Sequence, residues 1–202
     1  MTPTPTDALT TAKRSARADA KARISEILPA DFQSIGRAMA DRLTALPMWQ
    51  RAPAVFCFVS MKTEPDTAPI LRAALAGGKS LYVPQMLAQG QMALVRLERL
   101  SDLSPNRCGI LEPGASAETV SPAGFQRQGG LAVLPCLAAG RDGSRLGRGG
   151  GYYDRFLAVF TGPSVLLCPD ALLRPTLPTG PLDARPGHIL TESNLLSFKN
   201  PV

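Results

Sequence analysis

Residues Arg145-Leu146-Gly147-Arg148-Gly149-Gly150-Gly151-Tyr152-Tyr153-Asp154-Arg155 gather the types that hold phosphate. Gly147, Gly149, Gly150 and Gly151 leave the backbone bare, so several N–H groups can approach one anion. Arg145, Arg148 and Arg155 bring guanidinium groups, which match phosphate oxygens in charge and geometry. Asp154, set among them, is of the type that holds a Mg²⁺ ion bridging phosphates. An apolar strand pattern precedes the segment and a helical pattern follows it. The positive end of that helix would add to an anion site. The bland alternative, a glycine-rich turn with solvated arginines, also fits these residues.

Other phosphate motifs fail. Gly78-Lys79-Ser80 resembles the end of a P-loop, but Ala73 stands where its first glycine belongs, and a strand follows instead of a helix. Tyr152 occupies the third glycine position of a dinucleotide fingerprint. Cys57, Cys108, Cys136 and Cys168 are too widely spaced for a metal or redox motif and read as structural thiols. His188, the single histidine, forms no metal cluster.

The elements that must position the loop follow from the apolar pattern. After a Thr/Pro tail at 1–6, a basic helix is expected from Asp7 to about Leu28, ended by Pro29. Lys13, Arg17 and Lys21 recur at i, i+4, i+8 and share one face of it. A second helix is expected from Asp31, as its cap, to about Leu46, and a third from Asp66 to Ala76, stopped by Gly77-Gly78. Ala54–Val59, Leu81–Val83 (ended by Pro84), Met92–Leu97, Leu131–Leu134 and Ser164–Cys168 read as strands, the last being the final clear one. A turn is expected at Gln89-Gly90-Gln91, loop over most of 104–129, and a helix from Tyr152 to Phe160. Apolar strands alternating with helices predict an α/β three-layer sandwich with a largely parallel sheet, one domain over residues 1–202. Ligands in such sheets bind beyond the carboxyl ends of the strands, where the glycine loop falls.

The chain has 202 residues with 22 Lys+Arg against 16 Asp+Glu, a net charge of +6, which favours anionic partners without choosing among them. With three Tyr, one Trp and no nucleic-acid signature, base stacking is poorly provided for, and no nucleic-acid partner is expected. The apolar run Ala54–Val59 is too short to cross a bilayer, and the first residues lack a secretory pattern. A cytoplasmic protein with no membrane partner is expected, as a monomer or weak homodimer.

The segment from Arg145 to Arg155 resembles the signature of the 5-formyltetrahydrofolate cyclo-ligase (methenyltetrahydrofolate synthetase) family. Further matches follow in order. Lys13-Arg14-Ser15-Ala16-Arg17 resembles the family's K-x-x-L-R element, and Ser60-Met61 with Glu64 and Thr67 its S-M-x-x-E-x-x-T segment. Leu111-Glu112-Pro113 resembles its L-E-P turn, and Leu177-Pro178, Asp183 and Thr191-Glu192 its C-terminal pattern. Ala139-Gly140 stands where the family usually has Phe-Asp, and Leu182-Asp183 where it has His-Asp.

The resemblance implies a fold like that of the sugar-phosphate isomerase and CoA-transferase group. It implies ATP- and Mg²⁺-dependent closure of 5-formyltetrahydrofolate, a reduced folate, to 5,10-methenyltetrahydrofolate through a phosphorylated formyl group. By the same resemblance, Lys13, Arg14, Ser15, Ala16 and Arg17, with Arg145, Leu146, Gly147, Arg148, Gly149, Gly150, Gly151, Tyr152 and Tyr153, bind ATP. Val59, Met61, Glu64 and Tyr153 line the folate pocket, Arg148 and Arg155 act on the reacting groups, and Asp154 and Asp183 hold Mg²⁺. Two other readings stay open: a related ATP-dependent ligase or phosphotransferase with another small substrate, and a non-catalytic basic binding protein.

Overall fold

The computed structural model describes residues 5–87, 91–106, 111–114 and 118–198. Its helices are α1 (Pro5–Glu26), α2 (Pro29–Ala45), α3 (Pro47–Arg51), α4 (Ala68–Ala76), α5 (Pro122–Arg127) and α6 (Tyr152–Leu157). The strands are β1 (Ala54–Cys57), β2 (Ser80–Met86), β3 (Met92–Arg96), β4 (Leu103–Pro105), β5 (Leu111–Pro113), β6 (Thr119–Val120) and β7 (Gly130–Leu134). They continue with β8 (Ala138–Gly140), β9 (Arg145–Leu146), β10 (Ser164–Leu167), β11 (Leu173–Arg174), β12 (His188–Leu190) and β13 (Leu195–Ser197).

Among the described residues the main sheet has eight strands, ordered β13-β12-β10-β7-β1-β2-β3-β6. The run from β12 to β2 is parallel, while β3, β6 and β13 add on antiparallel at the two edges. β1 is flanked by β2 on one side and β7 on the other, so successive crossovers leave it in opposite directions. The carboxyl ends of β1 and β7 therefore diverge into a crevice, the point at which such sheets take ligands.

Alternation along the strands builds two cores. Val55 and Cys57 of β1 pack with Met39 and Leu43 of α2, Trp49 of α3, and Ile70 and Leu71 of α4. Ala54 and Phe56 face the other way, against Phe125 of α5 and Phe156 of α6. Helices on both faces of a mainly parallel sheet make the expected α/β sandwich. A third, smaller cluster joins Ala20 of α1 to Ala138 of β8 and Leu146 of β9, with Ala16 and Ile24 alongside. It fixes α1 to a hairpin that the sequence alone does not signal, because its strands are two and three residues long.

Several boundaries differ from expectation. Residues 5 and 6 of the expected tail are helical, while 1–4 lie outside the described residues. Pro29 opens α2 instead of only ending α1, and Leu28, not Asp31, is the cap. Pro47 and Pro122 likewise open α3 and α5, where proline's fixed φ and missing N–H suit the first turn. Pro84 does not end β2 but pairs with Leu94. The register of β2 with β1 ends at Tyr82, so at Pro84 the strand borders only β3, where a missing donor is tolerated.

The stretch expected as loop at 104–129 carries β5, β6 and α5. The helix expected to reach Phe160 stops at Leu157, and β12 and β13 follow the strand read as the last. Gln89 and Gly90 of the expected turn, and Cys108, lie outside the described residues. Lys79 donates to the Ala52 carbonyl at 2.7 Å and lies over the Trp49 ring, a structural role consistent with rejecting the P-loop. No helix among the described residues is long and apolar enough to cross a membrane.

Candidate active site

A cavity of about 840 Å³ opens at the carboxyl ends of β1, β2 and β7. Phe58, Val59, Met61 and Glu64 enter it beyond β1, Pro84 and Met86 from β2, and Pro135 and Cys136 beyond β7. The whole segment Arg145–Arg155 forms another wall, and Lys13, Arg17 and Asp183 complete the polar end. That volume lies toward the upper end of small-molecule sites; the strand ends contribute mostly apolar residues to its lining, and α1 and the glycine loop contribute cations.

The β8–β9 turn delivers the glycine loop. Asp142 Oδ1 accepts from Ser144 N–H and Oγ–H at 3.1 and 2.5 Å, and Oδ2 accepts from Thr176 Oγ–H at 2.8 Å. Burial pushes the Asp142 carboxyl up, but these donors and Arg185 outweigh it and hold its pKa below the ordinary value. A Cβ on Gly140 would sit 2.1 Å from Ser144 Oγ, so the turn closes this tightly only with glycine there. Beyond β9, Gly149 and Gly151 adopt φ of 107° and 69°, in the left-handed half of the map where a side chain is strained. The loop lies against α1, where Arg17 Nε donates to the Gly147 carbonyl at 3.0 Å.

On α1 the inward stripe is Lys13, Arg17, Ala20 and Ile24, a spacing of four, three and four. Lys21, expected on the same face, is exposed. Arg14 and Ser15 are exposed and Ala16 packs against the hairpin core, so none of these three expected nucleotide residues lines the cavity.

The serine–threonine motif has a local physical role. Ser60 N–H donates to Thr67 Oγ1 at 3.0 Å, and Thr67 N–H returns a bond to Ser60 Oγ at 3.1 Å. This reciprocal clasp closes the loop that presents Met61 and Glu64, and Glu64 Oε2 accepts from the Met61 N–H at 2.9 Å. Glu112 of the L-E-P turn accepts from Met86 N–H, and Glu192 accepts from Asp170 N–H. Both act outside the cavity, on elements that frame it.

Three of the cavity's cations, Lys13, Arg145 and Arg148, are ion-paired with carboxylates. Arg145, its side chain 3 % exposed, holds Asp154 Oδ1 at 2.5 Å, while its Nε is buried and unpartnered among the described residues. Arg148 grips Glu64 Oε1, with NH2 at 2.8 Å and Nε at 3.2 Å. Arg155 donates to the Gly150 carbonyl and lies over the Tyr152 ring. Tyr153 packs its ring near Phe56 while lining the cavity, which joins its core and site roles. Burial, with the Glu64 carboxylate adding to it, pushes its phenol well up, so it stays protonated at neutral pH.

Lys13 Nζ bonds both oxygens of Asp183, and Oδ2 also accepts from Gly180 N–H at 2.6 Å. Burial raises the Asp183 pKa, but Lys13 and Gly180 outweigh it and hold the carboxyl below the ordinary range. A depressed folded-state pKa stabilises the fold above the unfolded value, near 3.9, and that contribution disappears as pH falls through the folded value. The stability advantage of wild type over Asp183→Asn in urea unfolding should be constant from pH 7 to about 4.5 and should close below that. A gap that closes between pH 7 and about 5 would contradict this assignment.

A family model for the 5-formyltetrahydrofolate cyclo-ligase family matches residues 9–192. This chain belongs to that family. A 5-formyltetrahydrofolate cyclo-ligase of Mus musculus is 31 % identical over 153 residues, covering 72 % of this chain and 73 % of the mouse protein. Its Escherichia coli counterpart is 32 % identical over 133 residues, covering 65 % of this chain and 71 % of that protein. The NMR structure of an Aquifex aeolicus 5,10-methenyltetrahydrofolate synthetase aligns with TM-score 0.80 at 24 % identity over 94 % of each chain, so the fold is shared. The cyclo-ligase match covers most of α1, the glycine loop and the Asp183 segment, the same elements that converge on the cavity.

Of the expected site residues, the structure gathers Lys13, Arg17, Val59, Met61, Glu64, the loop from Arg145 to Arg155, and Asp183 around one cavity. Phe58, Pro84, Met86, Pro135 and Cys136 were not singled out from sequence. Each lies at or just beyond the carboxyl end of a strand, the position that the ligand rule for such sheets indicates.

Proposed function

We propose that this chain closes 5-formyltetrahydrofolate to 5,10-methenyltetrahydrofolate with ATP, in the cavity at the carboxyl ends of β1, β2 and β7. The observation that carries this reading is one cavity with two unlike walls. One wall is a glycine loop with arginines. The other is apolar, with a single backbone-anchored carboxylate, Glu64.

Lys13, Arg17, Arg145 and Arg148, with the N–H groups of 147–151, take the triphosphate. Val59, Met61 and Tyr153 pack against the pterin, and Glu64 accepts from its donor edge. The formyl oxygen attacks the γ-phosphorus and ADP leaves. The neighbouring amine nitrogen then bonds the formyl carbon, the C–O bond breaks, and phosphate departs as the nitrogen loses its proton. Arg148 and Arg155 offset the charge that develops on the transferring oxygens. The chemistry needs positioning and charge stabilisation and no protein nucleophile, which suits a wall of Gly and Arg.

The donor set fits Mg²⁺, which takes one or two carboxylates together with phosphate oxygens and waters. Asp154 Oδ2 makes no hydrogen bond among the described residues, whereas both Asp183 oxygens are engaged. Asp154 is therefore the primary ligand and Asp183 a second that must first yield Lys13. When bound, the ion supplies charge neutralisation between phosphates.

Incubation with 5-formyltetrahydrofolate, ATP and Mg²⁺ should raise the near-ultraviolet absorbance of the methenyl product. Folded protein that gives no product beside an active control enzyme would overturn the assignment. Nucleotide binding without protection by folates in thermal melts would favour another small substrate.

A further inference from the structure

The charge pairs around the cavity are not equivalent. Lys13–Asp183 and Arg145–Asp154 lie at its polar end. Arg148–Glu64 joins the two loops that the reading above assigns to the different ligands, the glycine loop beyond β9 and the loop beyond β1, across 84 positions of sequence. Its two members are held very differently. The Glu64 side chain is 8 % exposed and its second oxygen is fixed by the Met61 N–H. The Arg148 side chain is 47 % exposed, on a loop of glycines, so the guanidinium is the partner that can swing away.

We propose that the Arg148–Glu64 pair couples the two ligands of this site, a nucleoside triphosphate and a reduced pterin, so that each binds more tightly when the other is present. The proposal rests on the reading above, in which the glycine loop takes phosphates and Glu64 takes the pterin donors. A triphosphate arriving alone must draw Arg148 off Glu64 and leave a buried carboxylate without its cation. A pterin arriving alone must take Glu64 from Arg148. Whichever comes first breaks the pair, and the second finds its own group already released. Glu64 is thus a positioning residue for Arg148 as well as a pterin contact. Coupling of this kind is reciprocal, so the same factor must appear from either side.

Titration calorimetry with a non-hydrolysable ATP analogue plus Mg²⁺, and with 5-formyltetrahydrofolate, each alone and with the other saturating, tests this. In wild type each ligand should tighten the other by about fivefold or more, with equal factors. Glu64→Gln should bind the nucleotide analogue alone more tightly than wild type does, with little further gain from folate. Glu64→Asp keeps the charge but shortens its reach. Tightening there as well assigns the effect to the pair and not to net charge, and its absence overturns that assignment. Arg148→Gln should bind the folate alone more tightly than wild type and lose the gain from nucleotide. A purely structural role for the pair predicts weaker binding in all of these variants.

Affinities that are the same alone and together in wild type overturn the coupling and leave the site reading intact. Coupling retained in the folded variants overturns it too. Failure of either ligand to bind wild type overturns the site reading and the coupling with it. The variants cut the pair from opposite ends, so if one does not fold the other decides.

Discussion

Arg145→Ala should lower unfolding stability by roughly 2–3 kcal/mol, somewhat below the cost of breaking a fully buried ion pair, and should weaken nucleotide binding at least about tenfold. Arg145 is nearly inaccessible and ties β9 to Asp154 at the start of α6. Truncation leaves Asp154 facing a cavity without its cation, and the 24 % exposure of that side chain lets water recover part of the loss. The same change releases the first turn of α6 from the hairpin, so the glycine loop loses one of its anchors. Urea unfolding reads the first effect and calorimetry with an ATP analogue the second. Arg145→Met keeps much of the volume and should recover stability more than binding, because packing survives while the charge does not. A midpoint unchanged by Arg145→Ala would mean that Asp154 finds another partner and that Arg145 does not anchor the loop.

In Arg148→Ala, kcat should fall by about 10² to 10³, the cost of deleting one preorganised charge from a transition state. Stability should fall by about 1–2 kcal/mol, because truncation leaves the nearly buried Glu64 carboxylate without its cation although the arginine itself is half exposed. The separation between these readouts marks a residue that acts on the reacting groups, as distinct from one that holds the fold. Arg148→Lys should restore only part of kcat: the charge returns, but the planar fork that grips two oxygens does not. Loss confined to KM would assign Arg148 to ground-state binding and remove it from the phosphoryl step.

The glycine loop was legible because its chemistry is contiguous: four glycines and three arginines fall within eleven residues, and no folding is needed to bring them together. The parallel strands β1, β2, β7 and β10 were legible for the same local reason, as unbroken apolar runs. β8, β9, β12 and β13 were not. Two or three residues carry too short a pattern for a period to show, and their identity comes from the strands they pair with. The role of Ser60 and Thr67 was hidden because each looks like a turn or cap residue until the other stands within 3.1 Å.

Sequence alone determined which residue types were available, that α1 carries cations on one face, and that a loop rich in glycine and arginine follows a buried strand. Tertiary structure decided how those charges are spent. Lys13 and Asp183 lie 170 positions apart and Arg148 and Glu64 lie 84 apart, yet each pair is in contact. Ion pairing depends on distance in space, and only the packing of α1 on the hairpin and of the β1 loop on the glycine loop sets that distance. A surplus of six positive charges favoured an anionic partner, while the fold showed that Lys13, Arg145 and Arg148 are each paired with a carboxylate of the same cavity.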